Sequence, residues 1–353
     1  MAIQKWVSVI RLLIPDCQKP AQDSIIFVDV SESRYLIPRN KDSAQNDVIV
    51  NRKYLAELFN LLSANESQVR YVLCDVLFNI TTPDDSALIQ SISGIKGKFL
   101  GIDEYKDGGL NKNLIGARSA NASVYLQNNV VYKIPFFGRY GDALVPFKMY
   151  EDLDKGKIRK NFLFTWFSGK GIAFNHQINN YPIRSSDFTD RTYVKIGLGE
   201  LVSGLKLYPD TVFSWHLQNR FILIGDFDDL HDTYLNDQPG PIILFNAYLH
   251  LHLNRQILPV WYLILFYIFL YWIVWLQAEG KKNRLFKFPL KLKYFEPFVI
   301  IVEILYDSFL LLTFTILSSL LFNVNLSIFH LITVFSVVDF VKFIWKKRIR
   351  ANQ

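Results

Sequence analysis

Acidic side chains stand where apolar runs stop. SIIFVDVS (24–31) carries Asp29, YVLCDVLF (71–78) carries Asp75, KGKFLGID (96–103) ends on Asp103, and RFILIGDF (220–227) holds Asp226. Asp84 and Asp85 open a helix-like stretch beside them, and Asp228, Asp229, His231 and Asp232 crowd the loop after Asp226. Continuous apolar runs of this length read as strands of a parallel sheet buried on both faces. Open parallel sheets take their ligands outside the carboxyl ends of the strands. Carboxylates gathered there suit a cation, or a cationic or polyhydroxyl ligand, which makes Asp29, Asp75, Asp226, Asp228, Asp229, His231 and Asp232 the candidate ligand-binding set. The same acids also suit structural work, capping helices or pairing with Arg34, Arg39, Arg70, Arg191 or Arg220. The residue types leave both readings open.

Other chemistries lack their residues. The chain has no G-x-S-x-G elbow, no H-E-x-x-H and no Walker glycine loop, and Asp29-Val30-Ser31 departs from an Asp-x-Asp-x-Thr nucleophile motif. No catalytic residue and no cofactor is expected. The cysteines Cys17 and Cys74 form no CxxC or Cys/His pattern, and His250 and His252, two apart on a helix, face different directions. The identity of any metal stays unknown. Cys74 reads as a small core residue.

Positioning these acids requires alternating strands and helices. After the first strand comes an insert, RYLIPRNKDSAQNDVIV. NRKYLAELFNLLS (51–63) then has helical spacing, and TPDDSALIQSIS (82–93) begins with acids at the positive end of a helix. The order strand–helix–strand–helix–strand predicts an α/β fold with a largely parallel sheet and right-handed crossovers. SVYLQNNVVYKIPFF (123–137) reads as a hairpin turning at Asn128-Asn129, DALVPFKMYEDL (142–153) as a helix, NFLFTWF (161–167) as a strand and 175–190 as loop. PIILFNAYLHLHL (241–253) reads as a helix with Pro241 in its first position.

Beyond residue 255 the composition changes. Three apolar runs, about 258–276, 297–322 and 326–345, are each long enough for a transmembrane α-helix. The formal net charge of +7 is concentrated here, with eleven Lys/Arg against five acids after residue 255. The basic connector 280–293 and the tail KKRIR belong in the cytoplasm, which predicts a cytoplasmic C-terminus and an extracytoplasmic domain before the first span. The basic pI is thus a topology signal, not one for nucleic acid. Three segments follow: an N-terminal amphipathic stretch 1–19, an α/β domain 20–255 and a three-span region 256–353. An exported domain without an export signal leads to the expectation of a further span upstream of Met1. Inside the spans, Glu303 and Asp307 share a helix face, and Asp339 and Lys342 on the antiparallel third span lie near their level. Charges there are costly, so these four are expected either to hold spans together or to couple to a partner protein.

The series DSIIFVDVSES, NRKYLAELFNLL, YVLCDVLFN, PDDSALIQSI and RFILIGDFDDLHDTYLNDQPGPIILFNAYL resembles the CHASE domain of the second type, a sensory extracellular domain of bacterial receptors. The resemblance covers about residues 20–345 and rests on order and spacing more than on any single motif. It implies a sensor domain anchored in the bacterial inner (cytoplasmic) membrane by several passes, surrounded by membrane lipid and lying on the periplasmic side. Such receptors often carry a cytoplasmic cyclase, kinase or phosphatase-like module, and here only a basic loop and tail are cytoplasmic. The resemblance therefore implies signalling through a separate membrane or cytoplasmic protein, and it admits a homo-oligomer. The rival readings are a structural or assembly subunit of an envelope complex, and an extracytoplasmic enzyme acting on a small substrate.

Overall fold

The structure is a computed structural model. It describes residues 20–278, less 39–45, 107–108, 112–113, 128–129, 139–140, 155–157, 162–163, 179–181, 232–236 and 255–256, together with residue 313. These residues fall into two compact units, one built from 20–154 and 175–253, the other from 158–174 and 254–278.

The larger unit is an α/β fold around a seven-stranded sheet. Its strands are β1 (Ile25–Asp29), β4 (Tyr71–Asp75), β5 (Phe99–Lys106), β6 (Gly109–Asn111), β7 (Ser119–Asn121), β14 (Lys195–Gly197) and β15 (Phe221–Gly225). The order is β14-β1-β15-β4-β5-β6, with β7 also on β5; all run parallel except β6. The late strand β15 enters between β1 and β4, so Asp29, Gly225 and Asp75 come into register at one edge. The central strands β1 and β15 are buried at every residue, as their unbroken apolar runs predict.

Side-chain alternation gives each strand two inward faces. On one, Ile26, Val28, Val72, Cys74, Ile222 and Ile224 pack against helices α1 (Arg52–Ala64), α2 (Asp85–Ser93) and α4 (Leu198–Leu207). Helix α1 starts at Asn51, whose side chain accepts a hydrogen bond from the Tyr54 amide at 3.2 Å. On the other, Phe27 meets Phe188, Tyr193 and Phe227 edge to face, with centroids 4.9–5.8 Å apart. Phe221 packs there against Phe245 and Tyr248 of α5 (Gly240–His252). α5 also lies against α3 (Val145–Asp154).

The insert after β1 is an antiparallel hairpin, β2 (Arg34–Pro38) with β3 (Asn46–Val50). The predicted hairpin at 123–137 is present as β8 (Tyr125–Gln127) and β9 (Val130–Pro135); its turn residues lie outside the described set. The stretch 175–190, expected as loop, instead adds β13 (His176–Ile178) to β9 and makes one helical turn at Ser186–Thr189. The register of β13 against β9, more than forty residues away, is invisible to local pattern. β16 (Leu230–His231) and β17 (Gln238–Pro239) form a short ladder that brings the acidic loop back to the start of α5.

The smaller unit holds an antiparallel sheet, β10 (Ile158–Lys160), β11 (Phe164–Phe167) and β12 (Gly171–Phe174), and helix α6 (Val260–Ala278). α6 falls on the first expected span. Among the residues whose side chains are described, no helix is long and apolar enough to cross a membrane. The N-terminal amphipathic stretch and the second and third expected spans lie outside the described residues.

Candidate ligand site at the carboxyl edge of the sheet

Among the described residues, Asp29, Asp75, Asp226, Asp228 and Asp229 stand at or just after the carboxyl ends of their strands, and several are already engaged. Asp29 ends β1; its Oδ1 accepts hydrogen bonds from the amides of Ser31 (3.0 Å) and Phe227 (3.4 Å), and its Oδ2 pairs with Lys195 Nζ at 2.9 Å. Burial resists ionisation of Asp29, yet Lys195 and the Ser31 amide outweigh it and hold the carboxyl below its usual range. Lys195 also reaches Asp228 at 3.4 Å. Asp226 accepts from the amides of Asp228 (2.9 Å) and Asp229 (3.1 Å), which folds the loop back on itself, and it pairs with Arg34. Asp103 accepts from Ser119 Oγ at 2.8 Å.

Asp85 is also structural. It accepts from the Thr82 amide (3.0 Å) and hydroxyl (2.7 Å) and pairs with Arg52, a guanidinium only 2% exposed that also donates to the Ile80 carbonyl. The fork thus ties the start of α1 to the start of α2.

Asp75 differs. Among the described residues its carboxyl has no hydrogen-bond or ion-pair partner. It ends β4 where Gly225 ends β15, and it faces Gly240, the first residue of α5. The approach is close: a Cβ at 240 would sit 2.9 Å from Asp75 Oδ2, so that the carboxyl would have to shift, and 3.6 Å from His231 Nε2. A Cβ on Gly225 would meet Pro241 Cγ at 2.4 Å and Asp75 Cβ at 3.2 Å. Burial, reinforced by Asp229 and Glu104, pushes the Asp75 carboxyl up to about 7. Near neutral pH this group exists in both protonation states. It can donate a hydrogen bond to a ligand oxygen, or ionise against a ligand cation, beside the positive end of α5.

The neighbours of Asp75 are accessible. Asp228, Asp229 and His231 are exposed, and none of them fills the place of a counter-charge for it. Asp232 lies outside the described residues, as do Glu303, Asp307, Asp339 and Lys342. Among the described residues, no three His, Cys, Asp or Glu side chains are placed to hold a metal ion.

α5 itself is firmly held. Asn246, fully buried, accepts from the Ile183 amide (3.0 Å) and donates to the Ile183 carbonyl (2.8 Å). Gln238, just before the helix, accepts from the Ser185 amide at 3.0 Å. At the far end Tyr248 stacks on His252, whose Nδ1 lies 3.3 Å from Asp154. Sequence pattern alone did not single out Lys195, Arg52, Gln238 or Asn246. Arg52 had a legible signal, since it shares the helical spacing of Leu55, Ala56, Phe59 and Leu62 on the buried face of α1. No family model matches the chain, and no curated protein or solved structure matches it either.

Proposed function

We propose that this chain is a membrane-anchored extracytoplasmic sensor that receives a small ligand or a partner at the carboxyl edge of its sheet and signals through a separate protein. The observation that carries the reading is the placement of Asp75. The Asp75 carboxyl, raised by burial and without a partner among the described residues, is packed against the first residue of α5, and the chain runs from the far end of that helix into α6. A rigid helix of 13 residues spans about 20 Å, so a change at Gly240 is transmitted to His252 along one element. α6 supports the membrane anchor: Val260, Trp261, Ile264, Leu265, Tyr267 and Ile268 are all exposed in it, an apolar surface that water does not favour. The basic connector and tail support the orientation.

The test is topological. Leu230→Cys and Gln353→Cys are made singly in a Cys17→Ser background, and intact cells with a permeabilised outer layer are treated with a membrane-impermeant maleimide. The sensor reading expects labelling at 230 before lysis and at 353 only after lysis. Labelling at 230 that requires lysis defeats it.

A further inference from the structure

The amino edge of the sheet, opposite the acidic site, carries a cluster of exposed apolar side chains. α4 starts after the carboxyl end of β14 and runs back, ending at Leu207. Leu207 is 72% exposed and Tyr208 66%. A π-helical turn, Phe213–Leu217, follows; it buries Phe213 and Leu217 and leaves Trp215 68% exposed. The segment is fixed to this edge, because the Asn219 amide donates to the Gln68 carbonyl at 2.7 Å just before β4 begins, and β15 starts at Phe221. Large side chains this exposed on an ordered turn are an unexplained cost in water.

The same edge is where α5 ends. Tyr248 lies 5.9 Å from Phe221, the first residue of β15, and His252 closes the helix one turn later. Residues 253–259 then join it to α6, a connection of at most ~28 Å when fully extended. Arg70, Lys98 and Arg220 precede β4, β5 and β15 on this edge, among the acids Glu66 and Asp210. Arg70 lies over the Phe221 ring at 4.1 Å. Trp, Tyr and a Leu, with Arg and Lys close by, are the side chains that settle at the headgroup level of a bilayer.

We infer that the amino edge of the sheet rests on the lipid surface, with Leu207, Tyr208 and Trp215 as its interfacial contacts. This rests on the membrane anchor proposed above. It directs the Asp75 edge away from the bilayer, toward the medium from which a ligand arrives. It also makes the domain's stance on the membrane part of the output, since α5 delivers its displacement at the edge that lipid holds.

The experiment uses the full chain in liposomes. Tyr208→Cys, Trp215→Cys, Leu230→Cys and Tyr267→Cys are made singly in the Cys17→Ser background and labelled with a small fluorophore. Quenching is then measured with lipids spin-labelled at the headgroup and within the acyl chain. The inference expects headgroup quenching at 208 and 215 several-fold above that at 230, with acyl-chain quenching at 267. Quenching at 267 with 208 and 215 no different from 230 overturns the inference and leaves the anchor standing. No quenching at 267 overturns both. All four side chains are exposed, so labelling leaves the core intact.

Discussion

Asp75→Asn is the substitution with the least ordinary consequence. A carboxyl raised to about 7 from its usual 3.8 contributes stability that is fully present below pH 3.8 and is lost as pH rises through about 7. At 1.36 kcal/mol for each tenfold change in proton affinity, that rise corresponds to ~4 kcal/mol. The side chain keeps some contact with solvent, and the positive end of α5 favours its ionised form, so about half of that, ~2 kcal/mol, is the working figure. Asparagine has the shape of the protonated acid and cannot ionise. The variant should therefore exceed the wild type by under ~1 kcal/mol at pH 5 and by ~2 kcal/mol at pH 8, the latter ~4–8 °C in Tm for a domain of this size. Thermal unfolding of the full chain in nanodiscs, followed at pH 5, 6, 7 and 8, reads the difference. A variant less stable than the wild type at pH 8 would mean that the Asp75 carboxylate is satisfied in the native state and is not held up by burial.

Asp29→Asn should behave in the opposite sense. Its lowered pKa gives stability that is present above the usual 3.8 and is lost as pH falls through the folded value, so the variant should lose ~1 kcal/mol at pH 7 and nothing at pH 2, by the same unfolding series. Arg52→Met leaves Asp85 beside Thr82 without its cation and should cost ~3 kcal/mol, while Arg52→Met with Asp85→Leu should recover part of that; a denaturant titration compares the two. Asn246→Leu strands the backbone N–H and C=O of Ile183 and should cost ~2–4 kcal/mol, with protease cleavage appearing first near 183.

What the sequence made legible follows physical range. β1, β4 and β15 were readable because burial on both faces leaves an unbroken apolar run, and Asp29 and Asp75 marked the last residues of β1 and β4. α5 was readable from its Pro-Gly-Pro start and apolar run, although it begins at Gly240, one residue before Pro241. The insertion of β15 between β1 and β4 was not readable, nor was the Asp29–Lys195 pair, since both join positions far apart in the chain and no local periodicity encodes them. Arg34 did prove to be an acid's partner, at Asp226, whereas Arg70 lies over Phe221. The division of labour among the acids was hidden for the same reason. Only the contacts separate Asp226, which holds its own loop, from Asp75, which has no partner among the described residues.

The central claim is that Asp75 is the receiving group of a ligand site, and one comparison tests it. The full chain and its Asp75→Asn variant, in nanodiscs at pH 8, are screened by thermal shift against calcium, spermidine and simple sugars. A probe that binds the native state raises its Tm, by ~2.7 kcal/mol of added stability at a hundredfold excess over Kd. If Asp75 receives a ligand, at least one probe stabilises the wild type and leaves the variant unmoved. Stabilisation that is equal in both, or absent in both for every probe, contradicts that claim.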